Sequence, residues 1–345
     1  MNAPPDRRFF LLGSLASAAA FARPLGARPA PGPQPTLILV QLTGGHDGLS
    51  MLVPYADDAY ARARENLRID AKDVLRIDGR VGLHSELKRL RELFGIGRLA
   101  LFEGVGYPDP NRSHFRSMDI WHAADARGRG LAAGWIGRSV ERLAEATPLA
   151  VVHLGARPPF SLYSAKHAPL SLTPGLLRAT DPARARGLQA ARALDGDSME
   201  GGSTDDGSTP DSPEVGRVRE LWLEAQDSLA TLHAALERRE TVARYPANDF
   251  AQDLRAAASL VHAELGVRVV SVELDGFDTH RDQRGRHARL MATLDAGLGA
   301  LHTDLVQSEA GRAAVVLVFS EFGRRVAENA SGGTDHGAAS LAFAL

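Results

Sequence analysis

The 345-residue chain carries 40 basic and 42 acidic side chains, a formal net charge of −2, and 44% hydrophobic residues. This balance excludes a general nucleic-acid binder, whose footprint is a strong basic excess, and leaves apolar surface for one large α/β domain. There is no cysteine, which excludes disulfides, thiolate-ligated zinc, iron–sulfur clusters and thiol nucleophiles.

The chain opens on a twin-arginine pattern, Arg7-Arg8-Phe9-Phe10-Leu11, followed by a small-residue-rich apolar stretch to Ala22. That stretch is shorter than the ~20 residues of a membrane-spanning helix. Residues 1–30 therefore read as a Tat-type export signal, with the Tat translocase as transient partner and a periplasmic or secreted destination. No later segment is long and apolar enough for a span, so the mature form is expected without one. A proline-rich leader then feeds the run Thr36–Leu42, a strand buried on both faces. Leu87, Leu90, Leu93 and Phe94 recur at helical spacing, and Leu99–Val105 reads as the next parallel strand. Asn111 or Ser113 is placed to cap the helix through Met118 and Trp121. A short strand is expected over 150–154, a flexible polar loop near 198–213, and helices over 214–240 and 248–264. The strand 267–274, a helix over 283–309 and the strand 313–319 follow, and an apolar strand begins at Ser340. Strand–helix–strand order implies a doubly wound, mostly parallel sheet with helices on both faces. Residues 36–345 read as one domain. The apolar ending at Leu345 reads either as a buried last strand or as a chain cut short.

Three strand ends carry acidic and histidine residues. The first delivers His46 and Asp47, the second Asp275, Asp278 and His280, and the third leads through Glu321 to Asp335 and His336. In a parallel sheet these ends point the same way and converge on one cleft. Crowded carboxylates repel, and divalent cations relieve that cost. Asp and His together suit a borderline ion such as Zn²⁺ or Mn²⁺, with Mg²⁺ and Ca²⁺ as harder alternatives, and the residue count fits one or two ions. Taken singly, Asp47 or Asp278 reads equally well as a helix cap. Ser113, between Arg112 and Arg116, is a candidate nucleophile at a helix N-terminus, and the two arginines could hold phosphate or sulfate oxygens. An N-cap serine looks the same in sequence. Arg324-Arg325 reads as a solvated face or a second anion clamp. The remaining histidines, among them His84, His114, His122 and His287, receive no role from their spacing.

The segments LILVQLTGGHDGLSMLVPY (37–55), GVGYPDPNRSHFRSMDIW (104–121), DGFDTH (275–280) and VFSEFGRRVAENASGGTDHG (318–337), with the twin-arginine leader, resemble the bacterial DUF1501 family. That family looks like a distant branch of the alkaline phosphatase and sulfatase superfamily. The resemblance implies a doubly wound fold, a two-metal site and hydrolysis of small anionic phosphate or sulfate esters. It would place Asp47 and the Asp335-His336 pair on one metal, Asp278 (or Asp275) and His280 on the other, and Ser113 as nucleophile. The spacing departs from the superfamily, which separates the second Asp and His by three residues and has a further His beyond the Asp-His pair. The alternative is a non-catalytic exported binding or assembly protein that retains the fold.

Overall fold

A computed structural model describes residues 35–143, 149–166, 168–173, 232, 234, 236 and 241–345. The export-signal reading of 1–30, the polar loop near 198–213 and nearly all of the helix expected over 214–240 lie outside the described residues.

The strands are β1 (Leu37–Leu42), β2 (Leu52–Val53), β3 (Val74–Arg76), β4 (Gly82–His84), β5 (Ala100–Val105), β6 (Val151–Leu154), β7 (Leu170–Leu172), β8 (Val269–Leu274), β9 (Val315–Phe319) and β10 (Ser340–Ala344). Seven of them form one sheet in the order β5-β10-β9-β1-β8-β6-β7. β1 pairs in parallel with β8 and β9, and β6 with β7 and β8. β10 is antiparallel to both β9 and β5. β5 therefore runs the same way as β1, as expected, but its partner is the antiparallel β10 and it lies at the sheet edge. A second sheet, β2-β4-β3, is antiparallel and was not expected. Its strands are two or three residues long, too short to show a period of two.

The α-helices with bounds among the described residues are α1 (Gly48–Met51), α2 (Asp58–Ala63), α3 (Lys88–Gly95), α4 (His114–Ala123), α5 (Trp135–Val140), α6 (Asp249–Ala263), α7 (Gln283–Leu305) and α8 (Glu309–Ala313). The long helix expected over 283–309 stops at Leu305, and Ser308 caps α8 by accepting from the Gly311 N–H. Alternation along β1 divides the core. Ile38, Val40 and Leu42 pack with Leu90 of α3, Leu254 of α6 and Leu298 of α7. Leu39 faces the other way, toward Ile136 and Val140 of α5 and Trp121 of α4. The sheet is thus buried on both faces, as the unbroken apolar run of β1 requires. No helix among the described residues is long and apolar enough to cross a membrane.

α6 starts as its sequence dictates, with Asn248 accepting from the Ala251 N–H at 2.9 Å. α3 starts differently. Leu87 stands at its N-cap and offers no acceptor. The acceptor comes from α7 instead, where the buried Asp295 carboxylate takes the Leu90 N–H at 2.9 Å and the Arg89 N–H at 3.2 Å. Burial pushes this carboxyl upward, and the two N–H bonds offset part of that shift. The bond fixes α7 against the start of α3. Asp295→Ala orphans both N–H groups and should lower stability by about 1–3 kcal/mol, read as a lower urea midpoint with an unchanged slope.

Candidate metal centre

Because β1, β5, β8 and β9 run the same way, the loops that leave them meet at one end of the sheet. The β1 loop passes through Gly44 and Gly45. Gly44 has φ +114°, and a Cβ there would lie 2.4 Å from the Asp278 amide nitrogen. Only glycine lets the β1 and β8 loops approach this closely. A second close approach occurs at Gly333, where a Cβ would meet the His280 carbonyl carbon at 2.3 Å.

One buried cation joins these loops. Arg324, 5% exposed, donates to Gly45 O at 2.6 Å, Thr334 O at 2.8 Å, Phe277 O at 3.1 Å, and also to Gly44 O. It also pairs with Asp278 Oδ1 at 2.7 Å. The solvated-face reading of Arg324 is corrected by this burial. Burial works to raise the Asp278 carboxyl, but the Arg324 hydrogen bond and charge outweigh it and hold the carboxyl well below the usual carboxylate range. Asp278 is therefore an anion at any ordinary pH.

Three imidazoles surround Asp278 Oδ1. His280 Nε2 lies 3.1 Å away, His336 Nε2 3.2 Å and His114 Nε2 3.6 Å. The rings also meet each other, with His336 Nε2 2.8 Å from His280 Nε2 and 3.1 Å from His114 Nε2. His114, Asp278 and His336 form a group whose ligand atoms all lie within 4.8 Å of one another, and His280 adjoins it through His336 and Asp278. The far nitrogens are all taken by oxygen. His114 Nδ1 faces Glu321 Oε1 at 2.7 Å, His280 Nδ1 faces Asp335 Oδ1 at 3.2 Å, and His336 Nδ1 faces the Arg112 carbonyl at 2.7 Å. A carbonyl can only accept, and so can an ionised carboxylate. Each Nδ1 therefore carries the ring proton, and in the neutral ring each Nε2 presents a lone pair. An oxygen acceptor behind each ring is the usual outer shell of a metal-bound histidine. Donors around Zn²⁺ at ~2.0–2.1 Å would stand roughly 3.3 Å apart, and the three contacts among His114, Asp278 and His336 run from 3.1 to 3.6 Å, while His280 lies outside that mutually close group and meets only His336 and Asp278. The chemistry of the set fits a borderline divalent ion.

The expected residues distribute unevenly about this cluster. Asp278, His280 and His336 have donor atoms in it. Asp335 stands behind His280 and also accepts from Asn329 Nδ2 at 3.1 Å. Asp275 Oδ1 accepts from the Gly276 N–H at 2.6 Å and points to solvent. Arg112 contributes its carbonyl, while the Arg116 guanidinium lies against Gly128. Ser113 is the N-cap residue of α4, exposed, with its N–H donated to Asn111 Oδ1 at 2.8 Å. His114 and Glu321 were not expected. The rule that singled out the other strand ends, a histidine in the segment leaving a parallel strand, also picks out His114 once β5 is counted. Glu321, fully buried, accepts the Gly44 N–H at 3.0 Å as well as facing His114.

Asp47 lies elsewhere. It is 1% exposed, and Arg64 spans both its oxygens, at 2.5 and 2.9 Å. Gln283 Nε2 and the Ser50 hydroxyl donate to Oδ2 at 2.5 and 2.7 Å. Burial acts to raise this carboxyl, but the Arg64 charge and hydrogen bond hold it well below the usual carboxylate range. Its oxygens are filled by protein donors, so its structural role is a buried ion pair rather than a ligand to the cluster. With the folded value depressed, the pair's contribution is present above about pH 4 and is lost as pH falls through the folded value. Arg64→Ala leaves a buried carboxylate unpaired and should cost about 3–5 kcal/mol. The double change Arg64→Met with Asp47→Leu should recover most of that loss, measured by denaturant unfolding at pH 7.

A family model described as protein of unknown function (DUF1501) matches residues 103–345. No curated protein and no solved structure matches the chain. The matched span contains every donor of the cluster, together with Glu321, Arg324 and Asp335, and excludes Asp47 and Arg64. By this match, over more than half its length, the chain belongs to the DUF1501 family.

Proposed function

We propose that His114, Asp278, His280 and His336 hold one divalent transition metal, Zn²⁺ or Mn²⁺, and that the protein uses it to hydrolyse small phosphate or sulfate esters. The observation that carries the metal is the tautomer set. The Nε2 lone pairs of His114 and His336 lie close to each other and to Asp278 Oδ1, His280 Nε2 adjoins the last two, and each ring has its other nitrogen committed to an oxygen. The reaction class is supported by the family resemblance to the alkaline phosphatase and sulfatase superfamily, and so are the alkaline phosphatase-like fold and export after the twin-arginine leader. The two ions expected from that resemblance reduce to one in this reading, because Asp47 is already saturated by Arg64, Gln283 and Ser50.

When bound, the metal supplies a Lewis acid to an ester oxygen. The chain's own part is positional. Arg324 keeps Asp278 ionised and aimed at the cluster. Glu321, Asp335 and the Arg112 carbonyl fix the three rings in the tautomer that leaves Nε2 free. Ser113, exposed and one residue before His114, is the hydroxyl offered as nucleophile. The Arg112 and Arg116 side chains, both exposed on the same turn, offer N–H donors to the ester's outer oxygens.

Elemental analysis of protein purified without chelator, or reloaded with Zn²⁺ or Mn²⁺, should give about one ion per chain. His336→Ala should abolish binding, and Asp335→Ala should weaken it by roughly 10–100-fold through loss of the outer partner. Asp47→Asn should leave the stoichiometry unchanged. Aryl phosphate, phosphodiester and aryl sulfate assays on the loaded protein then test the reaction. Turnover that vanishes in Ser113→Ala supports serine attack, and turnover that survives assigns attack to water. Protein that takes up no ion overturns the metal centre. Loaded protein inert on all three substrates overturns the hydrolase and leaves the binding or assembly reading.

A further inference from the structure

The β8 loop holds a second reactive arrangement, apart from the ring cluster. An aspartate followed by glycine can close on itself. The glycine amide nitrogen bonds to the side-chain carboxyl carbon, and a C–O bond of that carboxyl breaks. The oxygen leaves as water, with the amide proton and one proton from solvent. The product is a five-membered succinimide, which water reopens at either carbonyl. Addition at the side-chain carbonyl restores aspartate. Addition at the main-chain carbonyl leaves isoaspartate, with the chain now running through the side-chain carbon. Closure needs the carboxyl held against the following nitrogen, a backbone free to bend, and no Cβ on the second residue to crowd the ring.

Asp47-Gly48, Asp78-Gly79 and Asp275-Gly276 are the Asp-Gly steps among the described residues, and they differ in these respects. Asp47 is buried with Arg64 on both its oxygens, and Gly48 is already the first residue of α1. Asp78 turns its Oδ1 past Gly79 to the N–H groups of Arg80 and Val81, at 2.7 and 2.8 Å. These bonds hold its carboxyl below the usual range. Asp275 is exposed, and its Oδ1 takes the N–H of Gly276 itself at 2.6 Å. Thr43 anchors the two flanks, donating its N–H to Leu274 O at 2.9 Å and accepting the Phe277 N–H at 3.2 Å. Between these anchors, neither Asp275 nor Gly276 shares a backbone–backbone hydrogen bond. Gly276 stands at φ +105°, and a Cβ there would meet nothing nearer than a Leu290 methyl at 3.5 Å. The turn therefore has room to move.

We propose that Asp275-Gly276 converts spontaneously through a succinimide to isoaspartate, on the loop that carries Asp278. Conversion adds one carbon to the main chain between β8 and Asp278. Gly44 packs against the Asp278 nitrogen there with no space for a methyl group. The reaction needs neither metal nor substrate.

The test is prolonged incubation of the folded full chain at neutral pH and physiological temperature, beside a sample in concentrated urea. Peptide mapping separates each isoaspartyl peptide from its parent of equal mass, electron-transfer fragmentation places the altered residue, and the succinimide appears lighter by one water. In the folded chain, isoaspartate at 275 should exceed that at 47 and at 78 by roughly tenfold or more, a small part of what orientation can contribute. In urea the three steps should react at comparable rates. Asp275→Glu, at an exposed position, should remove the product, because its ring would need six members. Isoaspartate at 275 no more abundant than at 78 in the folded chain overturns the proposal. So does the same preference for 275 in urea, which would make it a property of the local sequence rather than of the fold.

Discussion

Arg324 is the interaction on which the cleft end of the sheet depends. A guanidinium has five N–H donors in a fixed planar fork and stays charged at any ordinary pH. Here those donors reach carbonyls from the β1, β8 and β9 loops and one carboxylate oxygen on the β8 loop. Three loops distant in sequence thus share one centre. Buried carbonyls with no donor would be costly, and the loops have no regular strand pairing to supply one. Gly44 is part of the same device. Its positive φ and missing side chain let the β1 loop sit against the Asp278 backbone, within reach of the same guanidinium.

The two arginine–aspartate pairs differ in a way that separates structure from chemistry. Around Asp47 the donors are complete, with Arg64 on both oxygens and Gln283 and Ser50 on Oδ2. A further cation would have to displace one of them from a fully buried site. Asp278 is half-exposed and receives one arginine bond, and its Oδ1 also faces three ring nitrogens. The arginine keeps it ionised without enclosing it.

The division between what can and cannot be read from the chain follows from the same facts. Six of the seven strands of the main sheet were legible, the central ones because a strand buried on both faces is an unbroken apolar run, as in Leu37–Leu42 and Val315–Phe319, whereas the three-residue β7 (Leu170–Leu172) was not. The convergence of strand ends was legible because parallel strands share a direction. The pairing of β5 with β10 was not, since nothing local in Leu99–Val105 states its neighbour. Nor was the fate of a carboxylate after a strand. Asp47 and Asp278 follow similar apolar runs, and what separates them is Arg64 in one case and Arg324 in the other, 17 and 46 residues away. His114 escaped for a related reason. Its ring is brought in by α4 rather than by the turn just after a strand, and Glu321, which fixes its tautomer, lies 207 residues on.

Two kinds of cation could in principle fill the space among the rings, a proton or a metal. A proton on His336 Nε2 points in one direction. It can serve His280 at 2.8 Å, or His114 at 3.1 Å, or Asp278 at 3.2 Å, and the remaining lone pairs still face each other. Protonating a second ring adds a positive charge beside Arg324 and leaves two N–H groups confronting one another across the same gap. A divalent ion has no such direction. The ion proposed here would meet the His114 and His336 lone pairs and Asp278 Oδ1 together, with Glu321 and Asp335 behind the rings. The three oxygen acceptors at the Nδ1 positions strengthen this preference, because each makes its ring a better electron-pair donor at Nε2. The arrangement thus suits the proposed ion better than a proton, and it is the oxygen acceptors behind the imidazoles, more than the imidazoles themselves, that carry that preference.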